Sequence, residues 1–581
     1  MAHISLTFVG LMWVLPFLYY HHAYPLTTFY QEWGAAVLGL GASLYLLHKH
    51  FWQQAEIPRI VLLPILLMLL ALLQFGLGRI VYFEQALLFS LYMLWATLLM
   101  MTAHGLRKKL GLPSMAIILA SFLLLGAELN ALVGILQHYR WHTFLDSVVT
   151  AKNGIAVYGN LAQPNHYASY ITMGLISLGL LRLHLRSWQI TVLALPLLFV
   201  LVLSGSRSSW LYMLGMVLLA FLWQRRDKAC KPLLTYTLWL LLGFGLMHWV
   251  VQIPWLAGSS GNVTTLQRLL AGDTNGSIRL YLWHEAWLIF TQYPLLGAGL
   301  GQFAWQHFQL APLLHATEIS GLYNNAHNLL FQLAAEMGLA GLAILLLALG
   351  VWLWHGRREQ LTIYHWWGYA VLGVIGIHSM LEYPLWYAYF IGVAAVLLGM
   401  FDRTTYRLEL RKLGRWSVLS ILVLGLVSLV QWQQGYQKLE RTMAMHPQSA
   451  QDTDVANRMR DELIRLDSVV LLQPYVELFL NSWMNLDDGH LEQNLAMNER
   501  AVKFIPISNV AYRRALLLAQ ANQADAAGLQ IERAIWAYPA DFPAYRQELS
   551  VLAQKEPAHF AALLEFAIKK NEEYLHAVPA K

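Results

Sequence analysis

Charge is the scarcest commodity in this sequence. Asp, Glu, Lys and Arg make up 12% of its 581 residues, about half the share carried by a soluble domain. A chain this poor in charge cannot coat a globule of its size with hydrated side chains, so an ordinary soluble enzyme is excluded. Cysteine is scarcer still. Cys230 stands alone, so no intrachain disulfide can form. No long block of like charge is present either. The pI of about 9.1 comes from short basic clusters between apolar runs, which is not a nucleic-acid footprint. The first apolar run lacks a small-residue cleavage site after it, and it is read as a retained helix and not a signal peptide.

What the chain has in quantity is apolar sequence. Hydrophobic residues make up 57%, the mean hydropathy is +0.46, and the surplus is gathered in blocks of roughly 17–25 residues, the length that spans ~30 Å of hydrocarbon. Thirteen spans are expected, at about 4–20, 33–50, 59–78, 85–103, 114–137, 167–185, 188–204, 208–223, 232–251, 328–354, 364–379, 383–400 and 416–432. Alternate loops (48–59, 107–109, 182–186, 224–231, 356–359 and 403–415) hold 18 Lys and Arg. The other loops before residue 432 hold six: Arg79, Arg140, Lys152, Arg207, Arg268 and Arg279. The positive-inside rule puts the first set and the N-terminus in the cytoplasm, and an odd number of spans sends the C-terminal region out. The expected fold is all-α and polytopic: about 13 transmembrane helices in 1–432, a large outer loop at 252–327, and an outer domain at 433–581.

The tail from residue 432 carries 15 Lys and Arg against 19 Asp and Glu, a net of −4. "AVKFIP" (501–506) and "AIWAYP" (534–539) lie 33 residues apart. Each precedes a helix-like run, and Ala515, Ala519, Ala526, Ala527 and Ala534 suit closely apposed helices. This period is that of tetratricopeptide-like hairpins, which present grooves to protein or peptide partners.

Few polar residues remain outside, so each is a candidate. "SGSRSSW" (204–210) holds Arg207 in a very short turn. "GSIRLYLWHEAWLIFTQYPLLGAGLGQF" (276–303) puts Arg279 at the head of a stretch whose apolar face is expected at Trp283, Trp287 and Phe290, and "GAGLG" suits a tight turn. Either arginine could equally be a snorkelling headgroup anchor. "YNNAHNLLF" puts His327 at the start of a span, with Asn324 or Asn325 as the expected cap. The positive end of the helix dipole disfavours a second proton on the imidazole, which suits a proton acceptor as well as a simple interfacial residue. In "AQPNHYAS", Gln163, Asn165 and His166 lie at an outer helix end, where Asn165 could also serve only as a cap. Glu382 and Tyr383 lie in the last outer hairpin and could contact a ligand, orient His327 or form part of an aromatic belt. His378 and Glu382, four apart, fit an ion pair better than a metal site. Glu128, inside a span, is expected to pair with an outer arginine.

"SGSRSSWLYMLGMVLLAF", "SIRLYLWHEAWLIFTQYPLLGAGLGQF" and "AHNLLFQLAAEMGLAGL" resemble, in order and in sidedness, the three linked signatures of the O-antigen ligase superfamily. That superfamily includes lipopolysaccharide O-antigen ligases, O-antigen polymerases and protein O-oligosaccharyltransferases of the PglL type. The resemblance covers about 160–400. "NLAQPNHYASY" (160–170) and the extra tail are similar to the protein-glycosylating branch. The resemblance implies a bacterial inner-membrane enzyme that moves a glycan as a block from undecaprenyl diphosphate to Ser or Thr of a periplasmic protein, with type IV pilins among the acceptors. The implied reaction suits His327 as base and Arg207 and Arg279 at the donor diphosphate, with Gln163 and His166 as weaker candidates for the diphosphate or a sugar. Asn165, Glu382 and Tyr383 would contact substrate or orient the base. No metal and no cofactor are implied. The other readings are an O-antigen ligase acting on lipid A–core and a non-enzymatic flippase. Against the flippase, the chain has few intramembrane charges and gathers its polar residues at one face.

Overall fold

Apolar runs with no water to satisfy their backbone must close their hydrogen bonds internally, and this chain does so as helices. The computed structural model describes residues 1–257, 274–315, 317, 319–357, 361–445, 453–481, 484, 486 and 489–578. The thirteen expected runs are mostly helical, with 4–20 divided between Ala2–Met12 and Leu15–Leu18 and 383–400 entering its helix at Ala388. Among the described residues, six helices are long and apolar enough to cross a membrane: Arg59–Gly76, Phe83–Leu110, Leu112–Tyr139, Lys231–Val250, Leu329–Gly356 and Arg411–Met443. The others are shorter or carry more polar residues. The outer loop expected at 252–327 falls partly outside the described residues, which omit 258–273.

The helix Pro164–Leu181 is the centre of the bundle, buried at every residue from His166 to Leu181. Its hydroxyls turn back on its own carbonyls, Thr172 to Ala168 at 2.7 Å and Ser177 to Met173 at 2.8 Å, so burial leaves them satisfied. Neighbours tie in from three sides. Tyr170 donates to Trp13 O at 2.7 Å, Tyr236 to Leu175 O at 2.7 Å, and the Trp367 indole to Ser177 at 3.1 Å.

The fold is not strictly all-α. Ala55–Pro58 and Thr405–Leu408 form a two-stranded antiparallel ribbon. It joins two of the basic loops, and a third meets it through Lys108 on Glu56 at 3.0 Å. Glu128 does not find the arginine expected of it. Its Oε1 is buried without a hydrogen-bond partner. Asn130, two residues on, is tied to Phe17 O at 3.1 Å.

The helix Arg411–Met443 runs straight through residue 432, so the membrane part and the tail share one rod. Beyond it, Leu491–Phe504 and Ser508–Gln520 form one helical hairpin, and Ala524–Ala537 and Phe542–Lys555 repeat it before Pro557–Ala577 closes the stack. The repeat grips the segment that precedes His327. Phe308, from the helix Phe303–Leu314, is buried among Ala511, Ala515 and Ile531. His315 stands edge-on to Trp536 at 4.7 Å, and Gly321 N donates to Ala537 O at 2.8 Å.

Candidate functional site

Glu382 is the hub of a polar cluster. The helix Ile363–Ser379 ends just before it, and the chain turns with Glu382 N donating to His378 O at 2.8 Å. This turn carries the carboxylate away from the His378 ring, so the expected ion pair between them does not form. His378 is instead fully buried, with both ring nitrogens unpartnered. Glu382 Oε2 accepts from His327 Nδ1 at 2.8 Å. Its Oε1 accepts from Asn165 Nδ2 at 2.9 Å and from Arg279 Nη2 at 3.2 Å. Asn165 in turn accepts from the Ser206 hydroxyl at 2.7 Å, which places Arg207, the next residue, beside the cluster. Four stretches of chain far apart in sequence thus converge on one carboxylate.

The arrangement sets the tautomer of His327. An ionised carboxylate only accepts, so the proton lies on Nδ1 and Nε2 is left as the free acceptor. Burial by itself would raise the Glu382 carboxyl, but the hydrogen bond from His327 and the charges of His327 and Arg279 outweigh it and hold it below the usual carboxylate range. With the folded value below the free one, the cluster stabilises the fold at neutral pH. That contribution is lost as pH falls through the depressed value. Tyr383 stands edge-on to the His327 ring at 5.2 Å and limits its rotation.

His327 is not the first residue of a helix, and neither Asn324 nor Asn325 is the cap. His327 sits one residue ahead of the cap with φ of 51°, a left-handed conformation held by its N–H on Asn325 Oδ1 at 2.7 Å. The cap is Asn328, whose side-chain oxygen accepts from Leu330 N and Phe331 N. Its amide also donates to Met380 O at 3.1 Å, pinning the helix start to the Glu382 hairpin. Sequence reasoning missed Asn328, although a capping residue directly before an apolar run is a readable signal. Asn328→Ala is expected to cost about 0.5–2 kcal/mol of stability, and Asn328→Asp, which keeps the capping oxygen, less. Thermal unfolding in detergent checks the order.

The remaining candidates divide. Gln163, not Asn165, caps the helix Pro164–Leu181, accepting from His166 N at 2.6 Å. His166 is 4% exposed and enclosed by His378, Tyr387 and Phe390 at 5.2, 4.9 and 5.3 Å, so it lies behind the cluster. The face that the Arg279 helix, Thr274–Gln292, buries is Leu282, Glu285, Ala286 and Ile289. Trp287, expected on that face, is exposed. Glu285 pairs with His307 Nδ1 at 2.8 Å, and His307 Nε2 meets Gly321 O at 3.2 Å. This buried brace links the Arg279 helix to the segment leading to His327.

"GAGLG" is a structural turn. Gly297, Gly299 and Gly301 have positive φ. A Cβ on Gly297 would meet the backbone of Glu336 at 2.2 Å. The loop is stitched to that backbone by Ala298 N on Ala335 O and Gly299 N on Glu336 O, and Arg79 donates to Gly297 O. Opposite it, Gly338 (φ 63°) breaks the helix Leu329–Gly356, which the sequence presents as one continuous span. No group of three or more metal-ligating side chains occurs among the described residues.

Three family models match separate stretches of the chain: "Protein glycosylation ligase" at residues 157–181, "O-Antigen ligase" at 192–346, and "Virulence factor membrane-bound polymerase, C-terminal" at 366–551. Asn165 lies in the first, Arg207, Arg279 and His327 in the second, and Glu382 in the third. The chain is thus similar to the O-antigen ligase superfamily. Among curated relatives, it is 26% identical over 437 residues to a general O-oligosaccharyltransferase of Acinetobacter baylyi, covering 72% of this chain and 73% of that protein. It is also 26% identical over 395 residues to a ComP-specific O-oligosaccharyltransferase of the same organism, covering 64% and 66%. The residues that meet at Glu382 come from all three matched stretches.

Proposed function

We propose that the chain is a protein O-oligosaccharyltransferase of the bacterial inner membrane. It transfers a preassembled glycan as a block from undecaprenyl diphosphate to a Ser or Thr hydroxyl of a periplasmic protein, with pilin-like proteins among the acceptors. The observation that carries this reading is the His327–Glu382–Arg279 cluster. It joins a proton acceptor, its orienting carboxylate and a cation at one outer edge of a helical bundle. The two named relatives, both O-oligosaccharyltransferases, support the protein acceptor over lipid A–core.

In the reaction, the acceptor oxygen attacks the anomeric carbon of the first sugar while its proton passes to His327 Nε2. The bond from that carbon to the phosphate oxygen breaks, and the electron pair leaves with the lipid diphosphate. Glu382 keeps Nδ1 protonated and balances the imidazolium that forms. Arg279 and Arg207 face the charge that develops on the leaving group, for which guanidinium offers a bidentate fork. Gln163 and His166 act from behind, holding the helix end that presents Asn165. No step calls for a metal.

In the proposed disposition, thirteen helices cross the membrane within 1–432, and the helical repeat of 433–581 is a tetratricopeptide-like periplasmic domain. The loops support it by segregating. Three of the six basic loops meet at the Ala55–Pro58 ribbon, while the stretches with Asn165, Ser206, Arg279, His327 and Glu382 meet away from it. In a Cys230→Ser background, Ala526→Cys should react with an impermeant thiol reagent on intact spheroplasts, and Lys109→Cys should not. Reaction at Lys109→Cys with protection at Ala526→Cys would invert the orientation and exclude a periplasmic reaction.

A further inference from the structure

A groove on the side of the bundle lies between the helices Phe29–Ser43, Phe83–Leu110 and Arg411–Met443, and the proposed reaction makes no use of it. Its lower part is a cavity of about 250 Å³, walled by residues such as Leu40, Leu98 and Leu424. At its outer end stands Glu32, 8% exposed. Glu32 Oε2 accepts from the Tyr92 hydroxyl at 2.9 Å and from Ala388 N at 2.6 Å. Its Oε1 is buried with no hydrogen-bond partner. A buried carboxyl oxygen without a hydrogen-bond partner costs free energy, and hydrocarbon alone cannot supply one.

The helices fix the depth of this oxygen. Phe29 stacks on Tyr436 at 3.7 Å and the Trp33 indole donates to Leu429 O at 2.9 Å, so Glu32 lies level with Trp432. A second cavity of about 530 Å³ continues outward from there. The two share Leu91, Ser428, Trp432 and Leu471. The lining of the second is mixed, and its polar side carries Gln434, Lys438 and Arg465. Lys438 is exposed and six residues beyond Trp432, about 9 Å further along the helix axis. Arg465 carries one exposed partner, Glu462, at 2.6 Å. From the inside out the groove therefore offers an apolar slot, an unpaired carboxyl oxygen at the interface, and cations at headgroup height.

We infer that this groove binds an anionic glycerophospholipid with a hydroxyl-bearing headgroup, of the phosphatidylglycerol class. The acyl chains fill the slot, the phosphate lies against Lys438 and Arg465, and a headgroup hydroxyl, folded back beneath the phosphate, pairs with Glu32 Oε1. A zwitterionic choline lipid has neither the headgroup hydroxyl nor the net charge. The lipid-linked glycan donor is assigned elsewhere, because its phosphates belong with Arg207 and Arg279. This inference rests on the membrane disposition proposed above and not on the reaction.

The test is native mass spectrometry of the full chain in detergent, titrated with phosphatidylglycerol, phosphatidylcholine or undecaprenyl phosphate. One phosphatidylglycerol should bind in preference to phosphatidylcholine. Neutralising both cations with Lys438→Gln and Arg465→Gln should weaken it roughly 25-fold, at about fivefold per cation. Leu91→Trp, which fills the slot, should displace it with the charges intact. Equal binding of the two phospholipids, or binding unchanged in the double variant, would overturn the inference. So would undecaprenyl phosphate displacing phosphatidylglycerol from the groove, which would make it a donor site. The binding readout requires no transfer, and failure of either proposal leaves the other standing.

Discussion

His327→Ala should lower glycan transfer by about 10²–10⁴-fold, the usual worth of general-base help, with the protein still inserted and folded. The fold survives because Glu382 keeps two partners, Asn165 and Arg279, so its buried charge is not stranded. Glu382→Gln is the companion variant. An amide can still accept from His327 Nδ1, but it cannot balance the imidazolium and its NH2 group faces the Asn165 and Arg279 donors, so rate and melting temperature should both fall. Loss of rate in His327→Ala should lie in kcat and not in KM for the donor, since the base acts only as the proton moves. If His327→Ala protein at normal level transferred glycan near the wild-type rate, the imidazole would be no more than an interfacial residue.

The second large effect belongs to the arginines. Arg207→Lys and Arg279→Lys should each lose activity, because an ammonium cannot reproduce the guanidinium fork. A headgroup anchor needs only a long basic stem, so lysine would serve there. Each alanine variant should cost about 10²–10³ in kcat, the scale for removing one group that stabilises developing negative charge. The double variant should lose less than the product, since both act on one leaving group. Arg279→Lys should be the worse of the two lysine variants. Arg279 also holds Glu382 at 3.2 Å, so its loss loosens the support of His327 as well. The assay is transfer from purified lipid-linked donor to a Ser/Thr peptide, with donor in excess. Full turnover by both lysine variants would leave the arginines as anchors.

The members of the site could be read from the sequence, but their division of labour could not. Scarce outer charge singled out Arg207, Arg279 and Glu382, and a helix-start pattern singled out His327. The role of Glu382 as hub depends on where the chain turns after Ser379. Spacing alone suggested a pair with His378, because i and i+4 share a face only while a helix lasts. The cap was misplaced for a similar reason. Three asparagines surround His327, and only the left-handed backbone at that residue decides that Asn328 is the one in register. The Arg279 helix was read by its largest apolar residues, yet Trp287 points outward and the buried stripe includes a charged residue, Glu285, whose partner His307 is 22 positions away. Local patterns also concealed the break at Gly338, because a run of apolar residues looks the same straight or bent. By contrast, the apolar runs and the 33-residue helical repeat could be read directly, since both are periodic features that depend on no distant partner.

The most direct test of block transfer onto protein is the intact mass of the acceptor. Purified enzyme, a lipid-linked oligosaccharide of known mass and a Ser/Thr-containing periplasmic acceptor are mixed and followed over time. The account predicts a single mass step equal to the whole glycan, placed on Ser or Thr, with one undecaprenyl diphosphate released per glycan transferred and no step in the His327→Ala reaction. Growth by single sugars, or transfer to lipid A–core with the protein acceptor unmodified, would contradict it.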